Sequence, residues 1–402
     1  MVTPASLPQP FLPLNSTQAT LETVGGKGAN LARLARTSFN VPHGFLIPTE
    51  SYRKFVAEHQ LDAVINNALA DLDVNDPAAL QTASQTIRAQ FELASVSKAL
   101  RDALIIAYGW IGAPPVAVRS SATAEDLPDM SFAGQQDTYL NIIGADALTD
   151  AVVACWSSLW TARAIGYRAR NEIPQENVSL SVVVQEMVEA DVSGVMFTAN
   201  PLSGKRDEIV IDATFGLGEA LVSGQVEPDN YIVESALHPQ DAMHSASGKT
   251  RSTSHLKADA THFSITSKTL GAKATVIRSQ PKGGIKTETS NQAKIQACPD
   301  EVILQLAELG QQIQSEYNFP QDIEWAYHEE SLYILQSRPI TSLYPLPPTL
   351  PASPLKLMFG LHIVQGVIEP YSPLGMQTLE NVLAGSTLAF GGDLSYKNQT
   401  AF

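Results

Sequence analysis

Asp322-Ile323-Glu324-Trp325-Ala326-Tyr327-His328-Glu329-Glu330-Ser331-Leu332-Tyr333-Ile334-Leu335-Gln336-Ser337-Arg338 carries the densest pattern in this chain. Ile323, Trp325 and Tyr327 alternate with Asp322, Glu324 and Ala326, so a strand over these residues has one apolar and one polar face. Glu329-Glu330 separates it from a second alternating run, in which Tyr333 and Leu335 share one face and Ile334, Gln336 and Arg338 the other. A hairpin turning near Glu330 makes Glu324 and Gln336 direct cross-strand neighbours, with Arg338 two residues along on the same face. A carboxylate, an amide oxygen and a guanidinium on one pleat suit Mg²⁺ together with a polyphosphate. The same residues also suit the polar outer face of an ordinary hairpin.

Two upstream segments bear on a phosphate ligand. Pro114-Pro115 stops helix formation and launches the run Val116-Ala117-Val118, which ends in Arg119-Ser120-Ser121-Ala122-Thr123. An arginine at a strand end, followed by small hydroxyl residues, presents a planar fork to phosphate oxygens. The segment runs on through the small-residue loop Phe132-Ala133-Gly134-Gln135-Gln136-Asp137-Thr138 into a strand over Tyr139–Ile142, which is equally the shape of a surface hairpin. Gly25-Gly26-Lys27-Gly28 sets free backbone amides and one ammonium before a helix in which Leu31, Leu34 and Ala35 recur at helical spacing. It is not the P-loop pattern, which needs a longer gap and a Ser or Thr after the lysine, and it reads equally as a helix-entry turn with a solvated lysine. Gly216-Leu217-Gly218-Glu219 fails as a dinucleotide fingerprint, because Leu221 stands where the third glycine belongs.

Around these segments, strands are expected at Phe45–Ile47, Val182–Val184 and Ile209–Ile211, and helices over Tyr52–His59 (with Thr49 as N-cap), Leu148–Arg170 and Glu301–Tyr317. Residues 1–20 read as an unstructured leader, and His238–Cys298 is polar and basic. Tyr344–Pro354 is a proline-rich linker, with residues 355–402 beyond it. With 402 residues, 44% hydrophobic and 17% charged, the chain can bury a real core. A net charge of −15 argues against general nucleic-acid or anionic-membrane binding but leaves room for one phosphate ligand held by a few placed cations. Two cysteines, Cys155 and Cys298, exclude a disulfide framework and a multi-Cys zinc site. No window approaches twenty apolar residues and no targeting signal is visible, so a cytoplasmic location is expected.

Six ordered blocks carry a resemblance. VGGKGANL, VPHGFLIPTESY, VAVRSSATAEDLPDMSFAGQQDTYLNI, VVQEMVEADVSGVMFTANP, IDATFGLGEALVSG and DIEWAYHEESLYILQSRPIT stand here in the order seen in the nucleotide-binding domain of phosphoenolpyruvate synthase, pyruvate phosphate dikinase and rifampicin phosphotransferase. The resemblance spans roughly Leu21–Leu343 and implies an α+β fold of ATP-grasp type, in which two lobes, residues 21–185 and 186–343, sandwich ATP. It implies phosphate contacts from Lys27, Arg119 and Arg338, the cations of the catalytic site. It also implies a phosphate-covering loop at Gly134 and Thr138, a place beside the adenine for Gln185, and Mg²⁺ ligation by Glu324 and Gln336.

Members of this family cleave ATP to AMP and phosphate and park a phosphoryl group on a histidine of a mobile domain, in an S/C-H-x-A motif. None of the eight histidines here stands in such a setting, and residues 355–402 resemble only the opening of an acceptor domain. The expectation is an ATP-binding dikinase-type module that meets a phosphohistidine domain in trans and turns over no acceptor alone. The alternative is a non-catalytic nucleotide-binding or regulatory protein. The acceptor, pyruvate, a rifamycin or another, stays open.

Overall fold

Strand β1 (Leu12–Pro13) is followed by helix α1 (Leu21–Ala35), β2 (Gly44–Ile47), α2 (Thr49–Glu58), α3 (Leu61–Leu69), α4 (Pro77–Leu93), α5 (Lys98–Trp110), β3 (Val116–Ala122) and β4 (Thr138–Ile142). Then come α6 (Ala145–Ser158), α7 (Ala162–Arg170), β5 (Leu180–Glu186), β6 (Val192–Phe197), β7 (Glu208–Phe215), α8 (Glu219–Val222), β8 (Asp229–Ser235) and β9 (Phe263–Thr269). The hairpin β10 (Thr275–Ser279) and β11 (Ile285–Thr289), helix α9 (Asp300–Tyr317), β12 (Gln321–His328) and β13 (Ser331–Pro339) complete it. The computed structural model describes residues 7–123, 137–171, 173–175, 178–235 and 263–343. The expected linker and the stretch 355–402 lie outside the described residues.

The strands form a five-stranded sheet in the order β1-β2-β5-β3-β4, a six-stranded sheet in the order β13-β12-β6-β7-β8-β9, and the separate β10-β11 ribbon. Pairing is antiparallel throughout the three sheets, which with the flanking helices makes the architecture α+β. Alternation along β3 sorts its two faces. Val116 and Val118 join Val182 and Val184 in a core with Phe55, Ile87, Phe91 and Trp156 of the helices, whereas Ala117 and Arg119 line a cleft. A second core runs from Leu31 and Leu34 of α1, through Leu46 and Val183, to Ile211, Tyr231, Leu306, Ile323 and Trp325. Helix α1 is thus shared between the two sheets.

Three expectations change. The stretch taken for a leader is folded from residue 7 onward: Phe11 is buried and stacks on Phe45 at 5.9 Å, and Leu12 pairs with Leu46. The helical stretch over Leu148–Arg170 divides at Leu159-Trp160-Thr161, where the Thr161 hydroxyl accepts the Ala164 amide at 3.2 Å and starts a second helix. Thr49 is the first residue of α2 rather than its cap, and its hydroxyl donates to the Glu22 carbonyl at 3.0 Å.

Helix α1 breaks at Gly25, whose φ is +69°. In an unbroken helix the Gly28 amide would bond to the Val24 carbonyl. Here the Ser121 hydroxyl of β3 stands between them: it donates to Val24 O at 2.7 Å and accepts from Gly28 N at 3.0 Å. A Cβ on residue 25 would lie 2.4 Å from the Ser121 carbonyl oxygen. Gly25 therefore meets two requirements at once, left-handed backbone and close approach. Gly25→Ala is expected to destabilise the chain by on the order of 2 kcal/mol or more. Urea unfolding reads this directly, and an unchanged midpoint would contradict the assigned packing.

Candidate functional site

The β12–β13 hairpin closes with a two-residue turn. His328 pairs with Ser331, and Glu329 and Glu330 both take left-handed φ, +46° and +61°. The Asp191 carboxylate steadies it, 3.1 Å from His328 Nδ1 and accepting the Glu329 amide at 3.3 Å. Continued without interruption, this register would set Glu324 against Leu335. Instead the ladder slips between Glu324 and Trp325, so that Trp325 faces Ile334 and Glu324 faces Gln336. Leu335 is the extra residue of a bulge. The expected Glu324–Gln336 pairing is present, reached by a tight turn plus a bulge rather than by a turn centred on Glu330. The bulge also corrects one assignment: Ile334 joins the buried apolar face with Trp325, not the face of Gln336 and Arg338.

Glu324 and Gln336 open onto a cleft of about 430 Å³ between the two sheets. One wall comes from β3, β4 and β5 through Arg119, Thr138, Leu140 and Gln185, and Lys27 of α1 reaches it too. The other comes from β6, β12 and β13 and from the turn Leu217-Gly218-Glu219. Arg119 is 8% exposed. Its Nη1 lies 3.5 Å from Glu324 Oε2 and 3.4 Å from the Leu335 carbonyl, and among the described residues its Nε has no partner. Gln185 is 1% exposed and its Nε2 likewise has no partner among the described residues. Lys27 Nζ donates to the Ser120 carbonyl at 3.3 Å. Arg338 holds the Asp322 carboxylate through Nε at 2.8 Å and Nη2 at 2.7 Å.

Seven of the eight residues singled out in the sequence thus line one cleft: Lys27, Arg119, Thr138, Gln185, Glu324, Gln336 and Arg338. Gly134 lies outside the described residues. Glu219 is the residue that sequence reasoning missed. Burial pushes its carboxyl above the usual range, Arg119 draws it back and Glu324 pushes it up again, so three charged groups from three distant segments feel one another here. Its only signal was its place after the failed Gly216-Leu217-Gly218 fingerprint. Burial also raises the Asp322 carboxyl, against the pull of Arg338. Buried donors without partners beside half-buried carboxylates make this a polar cleft built to receive acceptor atoms from a ligand.

Glu324 and Gln336 offer two hard oxygen donors on adjacent strands. Among the described residues no cluster of three His, Cys, Asp or Glu side chains could hold a metal. That donor set fits Mg²⁺, which is bound by one or two protein oxygens plus substrate phosphates rather than by an all-protein cage.

Residues 21–345 match the family model for the pyruvate phosphate dikinase AMP/ATP-binding domain, and the chain belongs to that family. It is 42% identical over 331 residues to a probable phosphoenolpyruvate synthase of Methanocaldococcus jannaschii, a match covering 80% of this chain and 26% of that protein. It is 37% identical over 368 residues to the phosphoenolpyruvate synthase of Pyrococcus furiosus, covering 80% and 42%. It is 38% identical over 364 residues to the rifampicin phosphotransferase of Streptomyces sviceus, covering 89% and 39%. The chain thus spans between 26% and 42% of the length of these relatives. No helix among the described residues is long and apolar enough to cross a membrane.

The raised Glu219 carboxyl has a consequence for stability. A buried carboxyl that must ionise weakens the fold, so the stability linked to it is full at low pH and declines as pH rises through its folded value. Glu219→Gln removes that term. The variant is expected to be more stable than the parent near pH 7, with the difference closing as the pH falls to about 4. Thermal unfolding across this range checks it, and a variant less stable than the parent at neutral pH would contradict it.

Proposed function

We propose that this chain is the Mg·ATP-binding module of a dikinase-type phosphotransferase, an ATP-grasp whose lobes, residues 21–185 and 186–343, hold the nucleotide in the cleft between the sheets. The observation that carries the reading is the Glu324–Gln336 pair with the buried Arg119 guanidinium 3.5 Å from Glu324. Arg119 offers an unpartnered Nε to phosphate oxygens, in a planar geometry that an ammonium lacks. Lys27 adds a second cation at the strand end, and Arg338, oriented by Asp322, a third. The unpartnered Gln185 amide, at the end of β5, suits the polar edge of an adenine. Thr138, at the start of β4, faces the phosphates in this reading. Bound Mg²⁺, held by Glu324 and Gln336, supplies charge neutralisation on the phosphate oxygens.

The chemistry these residues support is electrostatic. Lys27, Arg119 and Arg338 stabilise charge as it shifts along the triphosphate, and the half-buried carboxylates keep the cations oriented before the ligand arrives. Among the described residues lining the cleft there is no histidine. The phosphoryl acceptor in this reading is a histidine brought to the cleft by a phosphohistidine domain in trans, with AMP and phosphate as products. The final acceptor in this reading is pyruvate, a rifamycin or another molecule.

Isothermal titration tests the site. The parent chain is expected to bind ATP more tightly with Mg²⁺ than without, and Glu324→Ala to lose most of that difference. Arg119→Lys keeps the charge but loses the fork, and its Mg·ATP affinity is expected to fall by about tenfold or more. Unchanged Mg·ATP affinity in Glu324→Ala would overturn the metal assignment, and unchanged affinity in Arg119→Lys the phosphate assignment.

A further inference from the structure

The β10–β11 ribbon belongs to neither large sheet, yet it touches both walls of the cleft. At the middle of β10, Gly216 bridges to Ile277 and the Leu217 amide donates to the Ile277 carbonyl at 2.9 Å. A Cβ on Gly216 would lie 2.4 Å from that same carbonyl oxygen, so the approach is close. Ile277 also packs in an apolar cluster with Leu217, Ala220 and Ala326. The middle of the ribbon is therefore fixed to the segment that carries Leu217, Gly218 and Glu219 into the cleft.

Its tip is fixed to the opposite wall through one residue, by side chain and backbone. Asn141 of β4 is 1% exposed, and its Nδ2 donates to the carbonyls of Gln280 at 2.8 Å and Gly284 at 2.6 Å. The Gly284 amide donates back to the Asn141 carbonyl at 2.8 Å. The ribbon's turn is shaped for this, with Gly283 and Gly284 both left-handed and the Gln280 amide bonded to the Gly284 carbonyl at 2.9 Å. Asn141 is itself left-handed, at φ +55°, where the β3–β4 ladder slips between Val116 and Val118. Thr138 and Leu140, its neighbours on β4, line the cleft.

We propose that Asn141 is a positioning residue for the nucleotide: its carboxamide fastens the ribbon tip to β4 and so sets the separation between the Thr138–Leu140 wall and the Leu217–Glu219 wall. This rests on the nucleotide reading of the cleft. Three hydrogen bonds between segments about 140 residues apart in sequence act as one clasp, and losing the amide removes two of them, leaving the Gln280 and Gly284 carbonyls only the Gly283 and Gln280 amides of the ribbon's own turn. A nucleotide between the two walls leaves only when the clasp opens, so the effect falls on dissociation rather than on encounter.

Asn141→Gly is the informative variant, since glycine takes the left-handed backbone without strain and removes only the amide. A purely conformational role for residue 141 predicts no loss. The clasp predicts that Mg·ATP, followed by stopped flow with a fluorescent N-methylanthraniloyl ATP, dissociates about tenfold faster at a nearly unchanged association rate. Asn141→Asp, which turns a carboxylate on the same two carbonyls, is expected to lose at least as much. In the parent, Mg·ATP is expected to slow hydrogen exchange of the Gly284 amide. This second measurement needs no variant and decides the question if Asn141→Gly does not fold. Parental dissociation rates in Asn141→Gly, or Gly284 exchange indifferent to bound Mg·ATP, would overturn the clasp and leave the nucleotide reading standing. A parent chain that binds no Mg·ATP would overturn both.

Discussion

The Arg119 guanidinium on β3 of one sheet approaches the Glu324 carboxylate on β12 of the other at 3.5 Å, and the rest of the site is arranged around that meeting. Neither group is fully hydrated, and a buried charge that loses its partner is strongly destabilising even where the pair itself does little better than break even. The pair therefore constrains how the sheets approach more than it strengthens the fold. It also leaves Arg119 under-satisfied, with Nε unpartnered, a state that a polyanionic ligand relieves.

Three successive residues of β3 distribute this constraint. Arg119 faces the cleft, Ser120 offers its carbonyl to Lys27 and its hydroxyl to the Asp137 carbonyl, and Ser121 enters the break in α1. The glycine turn, the start of β4 and the cleft cation are thus fixed by adjacent positions of one fully buried strand. Charge placement, not net charge, shapes the site. A chain of formal charge −15 gathers Lys27, Arg119 and Arg338 along one cleft and counters them with Glu219, Asp322 and Glu324.

Much of this was legible in the sequence where the signal is periodic. Alternation over Asp322–Arg338, with a turn taken near Glu330, placed Glu324 opposite Gln336, because strand faces repeat every second residue. What alternation could not reveal was the extra residue at Leu335, which moves Ile334 to the other face. The break at Gly25 was visible as a glycine cluster, but not its cause, a hydroxyl 96 positions later on β3. Asn141 carried no local signal, and Glu219 only its place after a failed glycine fingerprint. Each acquires its surroundings from a chain crossing set by topology, Glu219 beside Arg119 and Asn141 under the ribbon tip. Edge strand β1 was hidden for a different reason, since a short uncharged, proline-bearing segment looks the same whether it pairs or frays.

A crystal of the chain grown with Mn²⁺ and a non-hydrolysable ATP analogue is decisive for the cleft. The anomalous signal of the metal is expected within coordination distance of oxygens from both Glu324 and Gln336, with phosphate oxygens on Arg119 and the adenine beside Gln185. Metal and nucleotide lodged elsewhere on the chain, with the Glu324–Gln336 pair untouched, would contradict the assignment of this cleft as the Mg·ATP site.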